Sequence, residues 1–365
     1  MYIINMNSIL IIIIIGLAGL ILSQRYIEKN YQFTDTQYYE VLKKKVLNKK
    51  DDLPIMWVYI PYRYNARSWC SFGSRGTFDL NQPYLNLTIK SIIKMCDKSF
   101  KVCLIDDNSF EKLLPKWNIN ISAVGEPGAD YIRQLGLLKL VYHYGGMTLP
   151  ISFLCLKNIK SLFKKGCTNN NMFVVENIDR NVTSVHYDYY PDITFMGAEN
   201  PKCRVLGDLI EFTERMISND YTAQFEFLGE INRWCTKRIE TGHMNLIPGN
   251  LIGIKTLDNS PVLIEDLLGS NEINMDKNMY GIYIPQQMLL KRTTFQWFIR
   301  SSQKQILEGN YILSKYFLKA FIGGNIESFK SEPDWVSYWR VPLRAPVWGL
   351  IPNYLGNDVP RQQSP

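Results

Sequence analysis

Histidine is scarce: 365 residues contain three, His143, His186 and His243. The seven cysteines, Cys70, Cys96, Cys103, Cys155, Cys167, Cys203 and Cys235, stand singly. There is no Cys-x-x-Cys pair and no Cys/His cluster, so the ligand spacing of a structural zinc site is missing. An odd cysteine count speaks against a framework built wholly of disulfides, and buried free thiols are the expectation. The chain has no internal repeat and no recognised DNA- or RNA-binding motif, so no nucleic-acid partner is expected. Nor is there a large excess of one charge. The net charge is +7, and much of it sits in Lys43, Lys44, Lys45, Lys49 and Lys50. A phosphate-bearing substrate or an anionic membrane surface suits that balance. At 46% hydrophobic, 13% aromatic and 21% charged residues, most of the chain does not have the composition of disorder.

What is present begins with "IINMNSILIIIIIGLAGLIL", residues 3–22. About 20 apolar residues is the length of a membrane-spanning helix. No positive residue precedes the run, and Gln24-Arg25 after it makes a poor signal-peptide cleavage site, so an uncleaved single-pass anchor in the lipid bilayer is expected. Its orientation is open. Arg25, Lys29 and the lysine cluster lean towards a cytosolic body, whereas the sequons at Asn86, Asn120 and Asn181 lean towards a lumenal one. Residues 23–52 read as a polar, lysine-rich stalk.

From residue 53 strands and helices alternate. "LPIMWVYIPY" reads as a buried strand and is followed by the loop "RYNARSWCSFGSRG". Pro83 opens a helix with Leu85, Ile89, Ile92 and Ile93 on one face. "FKVCLIDD" reads as a second strand, Ser109 as the cap of a short helix, and "INISAV" as a third strand. The strongest helix is "DYIRQLGLLKLVYHYGG", stopped by Gly145-Gly146. Strands at "MTLPISFLCL", "MFVVEN" and "DITFMGAEN" follow, then helices at "KCRVLGDLIEFTERMI" and around 225–237. This alternation predicts an α/β domain with a mainly parallel sheet over 53–260. Residues 261–365 read as an extension packed on it, ending in a Trp-, Tyr- and Pro-rich tail.

In open α/β sheets, ligands bind beyond the carboxyl ends of the strands. Three segments converge there. The loop after the first strand offers Arg67 and Arg75 for phosphate and Trp69 as a flat face. Asp106 and Asp107 end the second strand and offer carboxylates to a ribose or base edge, or simply a helix start. Asp130 and Arg133 share one helix face, an acid for sugar hydroxyls beside a cation for phosphate. A local ion pair that steadies the helix is the plainer alternative. Of the later acids Glu176, Asp179, Asp188, Asp192 and Glu199, one could serve as a base towards an acceptor hydroxyl. None is singled out as catalytic. His243 is a loop residue that could face the cleft, and His143 a packed or surface side chain.

The segment "DYIRQLGLLKLVYHYGGMTLPIS" resembles the core of the family 32, OCH1-like DXD glycosyltransferases, in Asp130, Arg133, Leu140, Tyr142, Gly145 and Gly146. "FMGAENP" resembles the segment that follows in that family. The resemblance implies a GT-A fold, a Rossmann-like sheet that binds a nucleotide sugar. It also implies a UDP- or GDP-hexose donor and a glycan or protein acceptor. The departure falls on the family's Asp-x-Asp, whose positions hold Pro150 and Ser152. Without two carboxylates on one side of the chain, a divalent cation has no chelate there, and no cofactor is expected. Two outcomes follow from the resemblance. Arg67, Arg75 and Arg133 stabilise the leaving diphosphate in place of a metal. Alternatively, the fold persists as a catalytically silent, membrane-anchored scaffold or binding protein.

Overall fold

The computed structural model describes residues 53–60, 82–125, 127–178, 189–219 and 224–322. The expected anchor at 3–22, the stalk, the 61–81 loop with Arg67, Trp69 and Arg75, and the tail after 322 lie outside the described residues, as do His186 and the sequon at Asn181. Among the described residues no helix is long and apolar enough to cross a membrane.

Six strands form one sheet. They are β1 (Ile55–Tyr59), β2 (Lys101–Ile105), β3 (Gly146–Thr148), β5 (Met172–Ile178), β6 (Tyr189–Ala198) and β7 (Met244–Ile247), in the order β2-β1-β3-β6-β5-β7. Pairings β1–β2, β1–β3 and β5–β7 are parallel, whereas β6 runs antiparallel to both neighbours. The result is an α/β fold with a mainly parallel, mixed sheet flanked by helices. Strand β1 is buried from Ile55 to Val58, as expected of a strand covered on both faces. Two further strands, β4 (Phe153–Cys155) and β8 (Gly281–Tyr283), make a separate antiparallel pair.

The helices follow from their apolar stripes. In α1 (Pro83–Cys96) proline opens the first turn, and Leu85 and Ile92 are buried. The buried stripe differs from the expected one: Ile89 is half-buried and Ile93 is exposed, while Thr88 and Ser91 are buried. Their hydroxyls explain the rotation. Thr88 Oγ1 donates to the Ile151 carbonyl at 2.6 Å, and Ser91 Oγ accepts the Cys155 amide at 2.9 Å. A small polar seat therefore binds the backbone around β4, and the sequon threonine Thr88 is consumed in that contact. Asn120 of the second sequon lies exposed on a turn.

Helix α2 (Asp107–Leu113) is capped by Asp106, not Ser109. Ser109 is the third helical residue and closes a reciprocal box, with its amide on Asp106 Oδ1 at 2.9 Å and the Asp106 amide on its Oγ at 2.9 Å. "INISAV" is a single 3-10 turn, Ile121–Ala123, not a strand; the Asn120 side chain accepts the Ser122 amide and bends the chain. Helix α3 (Gly128–Tyr144) is buried on several sides, because it lies between the sheet and α5 (Arg204–Ser218). At Gly136 an added Cβ would come 2.7 Å from the Phe110 ring, so α2 and α3 approach closely. Helix α4 (Lys160–Gly166) follows β4. Helix α6 (Gln224–Glu240) precedes β7. Short helices α7 (Ile264–Leu268), α8 (Gln286–Lys291), α9 (Gln296–Arg300) and α10 (Gln303–Leu307), then α11 (Ile312–Ile322), complete the described chain. Ile264, Ile282, Phe298, Leu313 and Phe317 join one apolar core with Met56, Tyr84, Phe153 and Phe173.

Six cysteines are described and all are free. Five are buried; Cys203 is half-buried. Burial pushes the Cys167 thiol up to about 12 and raises that of Cys235, and the hydrogen bond with Cys96, then burial, keeps Cys155 protonated. Because the reagent must reach the sulfur and five of the six are buried, native alkylation with iodoacetamide at pH 8 should mark Cys203 first among the six. The other five should react at least about a hundredfold more slowly until the protein unfolds, as peptide mass spectrometry would show. Fast native labelling of Cys167 or Cys235 would contradict this packing.

Candidate functional site

The parallel strands place their carboxyl ends on one edge of the sheet. From β1 the chain crosses to β2 on one side and later returns to β3 on the other, so the strand order reverses between β1 and β3. A crevice beyond those two ends is where open α/β sheets hold ligands. Tyr59 ends β1, Asp106-Asp107 follow β2, and Thr148 ends β3. Helix α3 leads into β3 through Gly145 alone, so its first two turns, with Asp130 and Arg133, stand at the same edge.

These residues meet. Arg133 Nε donates to Asp107 Oδ1 at 3.0 Å and Nη2 to Asp107 Oδ2 at 3.1 Å, a two-pronged contact, while Nη1 reaches Asp130 Oδ1 at 2.8 Å. Tyr59 Oη donates to Asp107 Oδ1 at 2.6 Å, with its ring stacked on Phe110 at 6.1 Å. The Arg133 side chain is largely covered, at 15% exposure, while those of Asp107 and Asp130 keep 35% and 39%. The guanidinium is thus a bracket between two carboxylates that still face outwards. With both acids ionised the trio carries a formal charge of −1. That changes the expected role of Arg133: bound by two anions, it does not present a bare cation to a diphosphate. Asp106 takes the plainer of its two expected roles, the helix start, with its carboxylate capping α2. Arg67 and Arg75 lie outside the described residues.

Sequence reasoning passed over Tyr59. Its signal was present: a phenol at the carboxyl end of an otherwise apolar strand, one strand away from Asp107.

Pro150 and Ser152 do not sit on a strand. The expected strand "MTLPISFLCL" divides into β3 and β4, and 150–153 make the turn between them, closed by the Phe153 amide on the Pro150 carbonyl at 3.0 Å. The turn is fastened on several sides. The Leu149 amide reaches the Trp57 carbonyl at 2.9 Å, Thr88 holds Ile151, and the Ile284 amide reaches the Ser152 carbonyl at 3.2 Å. Ser152 is only 2% exposed. Among the described residues no group of three His, Cys, Asp or Glu side chains could hold a metal ion.

A second polar cluster stands on the same edge. Strand β6 slips out of register against β5, where Val174 pairs with Met196 but Val175 with Asp192, so Ile193–Phe195 bulge. Asp192, 6% exposed, holds the bulge. Its Oδ1 accepts the Thr194 amide at 2.8 Å and the Thr194 hydroxyl at 2.7 Å. Its Oδ2 accepts Asn177 Nδ2 at 2.6 Å and the Tyr283 hydroxyl at 3.3 Å. Thr148 Oγ1, at the end of β3, donates to the Thr194 carbonyl at 3.0 Å. Burial first, then the Asp192 charge, pushes the Tyr283 phenol well up, so it remains a donor. Glu176 is spoken for by Lys255 at 2.6 Å and the Gly249 amide at 2.9 Å.

Other candidates lie elsewhere. His243 directly precedes β7, on the amino edge, and does not face the carboxyl-end crevice. Glu199 directly follows the reversed strand β6 and is on that same far edge. His143 is near the end of α3, where burial, then Lys139 and Lys202, lower its proton affinity. A cavity of about 420 Å³ lies on that far side, lined by Asn169–Asn171 and by Ala198 to Val205, well apart from the Asp107–Arg133–Asp130 bracket. Asp179 and Asp188 lie outside the described residues. No model of a known protein family matches this chain, and no curated protein is significantly similar to it.

Proposed function

We propose that the protein binds a nucleotide diphosphate hexose at the carboxyl edge of its sheet, as a GT-A-like, membrane-anchored relative of the family 32 glycosyltransferases. The observation that carries this reading is the Tyr59–Asp107–Arg133–Asp130 bracket at the point where the strand order reverses. Two half-exposed carboxylates held rigidly by one guanidinium suit hydroxyl donors, which sugars supply in number. The diphosphate charge is then met by Arg67 and Arg75, and hexose transfer proceeds without a metal at Pro150 and Ser152. A second reading, a catalytically silent binding or scaffold protein, is favoured by the fastened turn at 150–153, which keeps Ser152 buried.

Calorimetry on the full-length chain in detergent micelles, with UDP-glucose and GDP-mannose and with and without Mn²⁺, separates the readings. Binding is expected for one donor, unchanged within about twofold by Mn²⁺. Arg133→Ala should weaken it at least tenfold, about 1.4 kcal/mol or more. Arg133→Lys, which keeps the charge and loses the fork, should weaken it similarly. Failure of every sugar nucleotide to bind would leave the scaffold.

A further inference from the structure

Among the described residues buried polar side chains are paired, as native proteins require. Tyr84 donates to Gln82, Tyr311 to the Ile306 carbonyl, Tyr283 to Asp192, and the Trp57 indole to the Gly145 carbonyl. The hydroxyls of Thr88, Ser91, Thr148, Thr213 and Ser301 all reach carbonyls. Among the described residues one buried side-chain polar atom stands apart, the hydroxyl of Tyr131, which has no partner. Tyr131 is 4% exposed.

Its position is informative. It directly follows Asp130 in the first turn of α3. Its ring stacks on Phe227, centroids 3.8 Å apart and planes within 14°, and Phe227 lies in the first turn of α6. Both helices run into parallel strands, so both first turns stand at the carboxyl edge of the sheet. The stacked ring is held in place by packing alone. Phenylalanine would supply the same packing without a hydroxyl stripped of water, a group that is costly to bury unsatisfied.

We propose that Tyr131 is a ligand-contacting residue whose hydroxyl donates a hydrogen bond to a hydroxyl oxygen of the bound nucleotide sugar, with Asp130 accepting the proton of a sugar hydroxyl beside it. This rests on the nucleotide-sugar reading given above. Burial, then the neighbouring carboxylate, pushes the Tyr131 phenol up, so it is protonated and has a hydrogen to give. A sugar hydroxyl both gives and accepts, and so satisfies the phenol and the acid together. A phosphate oxygen would suit the phenol but be repelled by Asp130. The hydroxyl could belong to the hexose or to the ribose.

Tyr131→Phe tests this, because it removes one atom and keeps the stack. Calorimetry on the full-length protein in detergent compares UDP-glucose and GDP-mannose with UDP and GDP. Affinity should fall about tenfold, which is 1.4 kcal/mol, while the melting temperature of the unliganded protein stays level or rises. A loss confined to the sugar nucleotides assigns the contact to the hexose; an equal loss for UDP or GDP assigns it to the ribose. Unchanged affinity for all four, or a lower melting temperature without ligand, would overturn the proposal and mark the hydroxyl as structural. If the wild-type protein itself gives no binding heat, the nucleotide-sugar reading fails and takes this inference with it. That outcome is distinct from a binding wild type matched by its Phe variant.

Discussion

Gly146→Ala should prevent the chain from accumulating as a folded protein. Gly146 opens β3 with φ +90°, a conformation that side chains rarely tolerate. A Cβ there would lie 2.0 Å from the carbonyl oxygen of Ile55 and 2.9 Å from its carbonyl carbon. Both atoms are backbone of the neighbouring strand β1, so neither can turn aside as a side chain would. Relief requires β1 and β3 to separate at the point where the strand order reverses, next to Trp57 and the end of α3. The loss should exceed about 4 kcal/mol, a large part of the 5–15 kcal/mol that domains possess. Gly229→Ala is the matched control: it lies in α6 and its added Cβ would meet no atom within 4 Å. It should hold or raise stability by up to about 1 kcal/mol, as alanine does in helices. Soluble yield and circular dichroism of the two variants check this, and a well-folded Gly146→Ala protein would refute the close β1–β3 approach.

Asp192→Asn should cost about 3 kcal/mol. Each carboxylate oxygen of Asp192 accepts two hydrogen bonds, from Thr194 twice and from Asn177 and Tyr283. An amide offers one accepting oxygen. Its nitrogen would face either the Thr194 backbone N–H or the Asn177 amide group, both donors, in a site that is 6% exposed. The loss is not compensated by water. A melting temperature lower by about 6–12 °C is expected, given roughly 2–4 °C per kcal/mol for domains of 150–250 residues. Tyr283→Phe, which removes the longest of the four contacts to Asp192 and a 3.0 Å contact with the Thr194 hydroxyl but leaves the other three on the carboxylate, should cost markedly less. Equal losses from the two would mean that Tyr283, not the bulge on β6, is what Asp192 serves.

Much of the fold was legible in the amino-acid order. Helix α3 declared itself by period and by its diglycine stop, and β1 by its unbroken apolar run. The meeting of Asp107, Asp130 and Arg133 also followed from placing strand ends and a helix start on one edge. What escaped depends on contacts distant in sequence. Whether "INISAV" extends or coils was decided by one asparagine side chain on a nearby amide. The division of "MTLPISFLCL" into two strands depends on β8, more than a hundred residues later, which claims Phe153–Cys155 for a second sheet. The buried stripe of α1 turned because Thr88 and Ser91 bind backbone that a pattern of apolar residues does not reveal. The bracketed state of Arg133 was hidden for a similar reason: an i, i+3 pair with Asp130 was visible, but Asp107 joins from 26 residues away.

The late claim of β8 on β4 has a consequence for synthesis. When the first 260 residues have left the ribosome, the chain already holds all six strands of the main sheet, yet Phe153 and Leu154 lack their partners and Gly253 lacks Ile282 beside it. Apolar surface therefore stays uncovered until β8 and α11 have emerged, and that stretch of translation is where the nascent chain is most exposed to aggregation.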